Sequence, residues 1–242
     1  MRDDLRMKVL VIPDVHLKAW MFERAAELMK HGVAEQAVCL MDIPDDWDKQ
    51  FQIGLYEKVF DAAIQFAKDF PNTLWCYGNH DLSYMWGQFE TGYSVYAKNT
   101  VLSKLSELRR TILSKEQIKY IHKIDNVLFS HAGLSYRYVR CFVSKDKRKD
   151  MDAVLEEINS FECDMMWNGA SPIWLRQLQA RERMFKAKEY IQVVGHTPVE
   201  KITKDKNVIF CDTFSTYQDG TPIGMEEFLL IDTVTGEYSG IK

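Results

Sequence analysis

Five short clusters in the chain combine carboxylate, imidazole and carboxamide side chains: Asp14-Val-His16, Asp42-Ile-Pro-Asp45, Gly78-Asn79-His80-Asp81, Ser130-His131-Ala-Gly133 and Gly195-His196-Thr-Pro198. Asp and Asn offer hard oxygens and His an imidazole nitrogen, a donor set suited to manganese, iron or zinc rather than to a soft thiolate metal. Four of the six histidines fall inside these clusters. Three or more histidines with two aspartates exceed the needs of one ion. A pair of ions ~3.5–4 Å apart, bridged by a shared carboxylate, is the economical use of them. Taken singly, each cluster is weak, because Asp-x-His and Gly-Asn-His are also common as helix caps and turns. The ordered set points to a site. His31, at the end of a predicted helix, and His122 lie outside the set and read as structural or solvated.

The elements that would position these clusters follow from the apolar pattern. Lys8 to Ile12, Ala37 to Met41 and Thr73 to Tyr77 read as short buried strands. Helices are expected between them, from about Trp20 to Lys30 with Gly32 as a stop, and from Ile53 to Phe70 with Pro71 closing it. This strand–helix alternation predicts an α/β layered architecture. Ser114 and Gln117 fit a capping box for a short helix through His122. Asn126 to Phe129 and Tyr190 to Val194 are further strands. The tail, with Val199 to Thr203, Val208 to Asp212 and Phe228 to Asp232 separated by turns such as Asp219-Gly220, predicts antiparallel pairing. Lys145 to Asp150 reads as a solvated charge run. Helices around Met151 to Phe161 and Ile173 to Lys188 are expected to form a cap. Every cluster thus follows a strand, and ligands in α/β sheets bind outside the carboxyl ends of strands.

At 242 residues and 46% hydrophobic the chain can bury a sizeable core. A net charge of −4 gives no basic excess for nucleic acid. The five cysteines contain no C-x-x-C pair, so reduced buried thiols are expected rather than zinc-thiolate chemistry. The opening Met-Arg-Asp-Asp-Leu-Arg has no signal-peptide core and no apolar run approaches a membrane span. A cytoplasmic location and no membrane partner are the expectation.

The set Asp14-x-His16, Asp42-x-x-Asp45, Gly78-Asn79-His80, His131 and Gly195-His196 resembles the calcineurin-like metallophosphoesterase superfamily, from the first strand to about Thr213. The Ser130-His131-Ala-Gly133, Pro172-Ile-Trp-Leu-Arg176 and Gly195-His-Thr-Pro198 runs are similar to the phage and bacterial serine/threonine protein phosphatases and related metallophosphoesterases. The resemblance implies a four-layer β-sandwich flanked by helices, an α/β (α+β) fold in one domain over 1–242 with cap-like insertions at roughly 88–119 and 135–188. It implies that Asp14 and His16 bind a first ion, that Asp42 bridges both, and that Asn79, His131 and His196 complete the second. His80 would be the general acid and Asp45 would orient it. The implied reaction is hydrolysis of a phosphate ester by a metal-bridging hydroxide. The ions would be two divalent metals, manganese ahead of iron, zinc, nickel or cobalt. The substrate would be a phosphorylated small molecule, a nucleotide or a phosphoprotein.

The chain departs from the pattern in three places. Met41 precedes Asp42 where many relatives have glycine, which suggests a slightly different backbone path. Asp45-Asp46-Trp47 replaces the Asp-Arg-Gly of eukaryotic-type protein phosphatases and so lacks a phosphate clamp. Pro198 stands where many relatives carry a second histidine. Arg176 could supply the missing clamp through paired hydrogen bonds to phosphate, although it also reads as an exposed helix arginine, and Asn79 is a second substrate contact. Trp47, Tyr84, Trp86, Trp167 and Trp174 flank the loops and read as packing residues or as stacking surfaces for a base. The alternatives are a nucleotide or dinucleoside polyphosphate hydrolase on the same site, and a non-catalytic scaffold.

Overall fold

The computed structural model describes residues 7–242; the charged opening, 1–6, which carries the reading against a signal peptide, lies outside them. The first half runs β1 (Lys8–Ile12), α1 (Trp20–Lys30), β2 (Gln36–Cys39), α2 (Ile53–Asp69), β3 (Leu74–Cys76), α3 (Asn79–Trp86) and α4 (Lys98–Glu107). A π-helical turn, Leu108–Ile112, extends α4 before β4 (Ile118–Lys119), β5 (Ile121–Ile124) and β6 (Val127–Ser130). The second half holds α5 (Tyr136–Phe142), α6 (Met151–Asn159), α7 (Cys163–Met166), α8 (Gln177–Ala180), β7 (Ile191–Val194), β8 (Thr203–Asp205), β9 (Val208–Phe210), β10 (Phe228–Asp232) and β11 (Tyr238–Ile241).

Two sheets result, ordered β11-β10-β1-β2-β3-β4 and β5-β6-β7-β9-β8. β1, β2 and β3 are parallel neighbours, with Val11 opposite Val38 and Cys39 opposite Trp75. β6, β7 and β9 are likewise parallel. The unbroken apolar run of β1 is explained by burial on both faces. Val9 and Val11 enter the core between the sheets with Val38, Leu40, Cys76, Phe129, Val193 and Ile209. Leu10 and Ile12 face the helical layer with Phe22, Ala25, Tyr56 and Phe60. The outer face of the second sheet is covered by the chain around Leu175 and Met184, which pack on Val194, Val208 and Phe210. The fold is therefore a mixed α/β sandwich of two sheets flanked by helices. Among the described residues no helix is long and apolar enough to cross a membrane.

The local expectations hold with three corrections. The Ser114 capping box forms a turn, not a helix through His122. Gln117 does reach back to the Ser114 N–H at 3.0 Å, but its amide is also held by Pro71 O, and the chain enters β4 and β5. His122 is thus a buried strand residue whose Nε2 lies 3.1 Å from both Trp75 O and Gln117 O. The helix expected over Ile173 to Lys188 shrinks to α8. Arg181 takes φ 50° and ends it, and the next residues bond sideways: Tyr136 N donates to Arg183 O and Phe185 N to Leu134 O. Val199 to Thr203 is not a strand either. Val199 makes a single backbone bond, to Asp212 O, and the chain joins the sheet only at Thr203.

Candidate metal centre

Parallel pairing of β1, β2 and β3, and of β6, β7 and β9, brings six strand ends to one edge of the sandwich. Asp14, Asp42, Asn79, His131 and His196 are all buried there, with His16 and His80 partly exposed beside them. Several of the loop residues sit in the left-handed region, namely His16, Met41, Asp42, Asp45 and His196 at φ 42°, 57°, 45°, 68° and 61°. Met41 adopts the backbone a glycine would favour, so the tight turn is made despite its side chain, which is fully buried in the helical core. Strain of this kind is held by its surroundings and gathers at functional sites. Asp81 is part of the support. Its carboxylate accepts from the Asp42, Ile43 and Gly78 N–H groups at 2.8, 3.1 and 3.2 Å, tying the second loop to the third.

The centre of the site is His131 Nε2. The other ring nitrogen lies 3.0 Å from Leu40 O, which can only accept, so Nδ1 carries a proton. Around Nε2 lie Asn79 Oδ1 at 3.0 Å, Asp42 Oδ2 at 3.1 Å and His196 Nδ1 at 3.1 Å, with Asp14 Oδ2 at 3.9 Å. One N–H cannot satisfy that many lone pairs, whereas a cation can. His196 Nε2 is buried with no hydrogen-bond partner. Two sets of donor atoms, His16 with Asp42 and His80, and Asp42 with His131 and His196, each lie within 4.8 Å of one another. Asp42 belongs to both, as a bridging carboxylate must, whereas Asp14 belongs to neither and His80, expected outside the ligand set, belongs to the first. The residues fit a pair of divalent ions.

The carboxylates of the site draw positive charge to the point where these donors meet. Burial opposes charge on Asp42, but His131, His80 and His16 outweigh it and hold the carboxyl well below its ordinary range. Burial also opposes charge on His131, yet Asp42 and Asp14 lift it to about 10. Burial, then His131 and Arg176, push His196 well down, which favours its neutral imidazole. Burial and then His80 lower His16 to about 4. Burial and then the nearby Asp212 raise Asp14, whose carboxylate accepts from His196 N at 2.9 and 3.0 Å.

His80 is held differently. Its Nδ1 lies 3.0 Å from Asp45 Oδ2, which leaves Nε2 for the cavity. Burial opposes its protonation, but Asp42 and Asp45 prevail and raise it to about 9. The carboxylate that meets His80 Nδ1 is that of Asp45, while Asp81 binds backbone N–H groups. The cavity, about 280 Å³, is also lined by Trp47, Glu90, Trp174, Arg176 and Asp212. Arg176 is exposed at its rim and donates from Nη1 to His196 O at 2.7 Å. Of the flanking aromatics, Trp47 and Trp174 reach the cavity. Trp86 and Trp167 pack edge to face at 6.0 Å, and Tyr84 is buried.

A family model described as calcineurin-like phosphoesterase matches residues 7–220. The chain belongs to this family. Membership of this family implies a hydrolase. Among solved structures, a cold-active protein-tyrosine phosphatase of a psychrophilic Shewanella aligns at 18% identity over 98% of this chain and 81% of that one, with a TM-score of 0.54. An archaeal phosphodiesterase aligns at 14% over 97% and 99%, with a TM-score of 0.40. A metallophosphoesterase from Sphaerobacter thermophilus aligns at 13% over 98% and 89%, with a TM-score of 0.45. The Shewanella likeness speaks for the shared fold alone. No curated protein matches the chain.

Sequence reasoning missed several residues of the site. Asp212 follows β9, the sixth of the converging strand ends, and accepts from Ser215 N and Oγ at 3.2 and 2.8 Å. Its signal was available, since Asp212 ends the apolar run from Val208 as Asp14 follows β1. Glu90 has no such signal, because only the folding-over of the segment after α3 brings it to the cavity.

Proposed function

We propose that this family member is a metal-dependent phosphatase. The observation that carries the reading is the convergence of four potential ligands on His131 Nε2 in the same cavity as the His80–Asp45 pair. In this reading Asp14 and His16 hold a first ion, Asp42 both, and Asn79, His131 and His196 the second. Two divalent cations, when bound, supply Lewis acidity that offsets phosphoryl charge and acidifies water.

The chain's own groups do the rest. His80 donates its Nε2 proton to the departing oxygen as the P–O bond breaks, and Asp45 fixes the tautomer from the other side. Arg176, tethered at the rim by His196 O, presents its remaining N–H groups to phosphoryl oxygens, and Asn79 faces the same oxygens. Trp47 and Trp174 form apolar walls that exclude water and orient the leaving group. Those two indoles also favour a second reading, a nucleotide or dinucleoside polyphosphate substrate whose base stacks between them. Kinship with the phage and bacterial serine/threonine phosphatases rests on Pro198 and the Trp174-x-Arg176 run. Manganese as the native ion, a cytoplasmic location and one domain with two insertions belong to the same proposal. Of the cysteines expected to be buried, Cys39, Cys76 and Cys211 are, whereas Cys163 is half-buried and Cys141 exposed.

Hydrolysis of p-nitrophenyl phosphate by metal-stripped protein, with and without manganese, beside Asp42→Asn, is the test. Manganese-dependent turnover lost by at least about 10²-fold in Asp42→Asn is expected, since that carboxylate serves both ions. Full ion binding with no turnover on aryl phosphates or nucleotides would favour a scaffold.

A further inference from the structure

The Asp45 carboxylate has more partners than an orienting residue for His80 requires. It is almost fully buried. Oδ2 meets His80 Nδ1 at 3.0 Å, while Oδ1 accepts from the Tyr84 hydroxyl at 2.5 Å and from the Tyr56 hydroxyl at 3.3 Å. His80 and Tyr84 stand one turn apart on α3, so they share a face. Together they grip one carboxylate, one oxygen each. Tyr84 is not free to turn away. Its hydroxyl accepts from Ser94 N at 2.8 Å, its ring stacks on Tyr93 at 4.2 Å, and Ser94 Oγ donates to Gln50 O at 2.5 Å. Tyr56 reaches the same oxygen from α2.

We propose that Tyr84, seconded by Tyr56, is a positioning residue that acts through Asp45 to keep His80 aimed at the departing oxygen. The proposal rests on His80 as general acid. Asp45 sits at φ 68° on a loop, and a carboxylate held only by an imidazole could swing about its side-chain bonds. A second anchored donor removes that freedom. Two buried tyrosines could instead simply need an acceptor. The two roles differ in what they do to the chemistry: a structural bond affects every substrate alike, whereas a weakened general acid matters most where the leaving group is a poor one.

The experiment compares kcat for 4-nitrophenyl phosphate, whose phenolate departs readily, with kcat for phenyl phosphate, whose phenolate needs the proton. Wild type, Tyr84→Phe, Tyr56→Phe, His80→Asn and the His80→Asn/Tyr84→Phe double variant are measured with manganese, and bound metal is read by elemental analysis. Losing one of several donors on Asp45 forfeits part of a general-acid effect of about 10²–10⁴. The ratio of phenyl to 4-nitrophenyl turnover is therefore expected to fall roughly tenfold in Tyr84→Phe and less in Tyr56→Phe, at unchanged metal content. In the His80→Asn background Tyr84→Phe should leave the ratio alone. Parallel loss on both substrates, or a selective loss that persists without His80, overturns the proposal. If Tyr84→Phe does not fold, Tyr56→Phe decides, because it leaves the Ser94–Tyr84 bond intact. Failure of the parent reading looks different: wild type would then turn over neither substrate, or His80→Asn would leave the ratio unmoved.

Discussion

Replacing Gly195 by alanine tests the metal centre by geometry alone. An ideal Cβ at Gly195 would lie 1.9 Å from Asp14 Oδ1 and 3.1 Å from Asp14 Cγ. At Gly78 it would lie 2.0 Å from Asp42 Oδ1 and 2.7 Å from the Asp42 backbone nitrogen. Gly78 sits at φ −92°, ψ 167°, which alanine adopts freely, so the obstacle is contact and not backbone strain. In each case the obstructed atom is a proposed ligand oxygen that is already buried and hydrogen-bonded. To restore ordinary contact the carboxylate must retreat by on the order of 1 Å, a misplacement that costs about 10²-fold in rate. Overpacking adds roughly 1–3 kcal/mol of destabilisation. Manganese titration by calorimetry, p-nitrophenyl phosphate turnover and urea unfolding would be read together for Gly195→Ala and Gly78→Ala. Gly54→Ala serves as control: no atom lies within 4 Å of its Cβ, and a gain of about 0.4–1 kcal/mol with unaltered ion binding is expected. Wild-type ion affinity in Gly195→Ala would refute the reasoning.

Two further outcomes are expected. Burial lowers His122 to about 4, while the unfolded imidazole titrates at about 6.5. As pH falls below about 6.5 the unfolded chain gains a proton that the folded chain refuses until about 4, so stability is full above this window and declines through it, by roughly 2 kcal/mol from pH 7 to pH 5. His122→Gln should flatten that decline in urea unfolding, and an equally steep decline would refute it. Arg176→Ala should raise KM for phenyl phosphate about tenfold with a smaller change in ion affinity, and Arg176→Lys should not restore it, because one ammonium cannot reproduce a fork held by His196 O. Full rescue by lysine would argue against paired hydrogen bonding.

The strands that carry the site were legible because each is short, apolar and buried on both faces. β1, α1 and β10 fall where periodicity places them. The clusters were legible because each begins where an apolar run stops. Other features depend on distant partners. Ser114 and Gln117 form half of a capping box, yet the chain goes into β4 because Ile118 pairs beside Trp75. Residues 181–188 bond sideways to 134–136, which no local pattern announces. Tyr56 and Tyr84 look like core aromatics, and only the loop that carries Asp45 between their hydroxyls gives them another role.

The pairing of β1 with β10 sets an order of events during synthesis. β1 emerges from the ribosome before its antiparallel neighbour, which spans Phe228–Asp232, and Asp14 is held by His196 N from 182 residues further on. At about 5–20 residues per second, the nascent β1 waits on the order of ten to forty seconds for that neighbour. Until then one edge of β1 is unpaired and its Val and Leu side chains have only part of their cover. The centre therefore cannot assemble stepwise with its first motif. A chain stalled before residue 228 would hold every residue of the centre yet leave one edge of β1 unpaired.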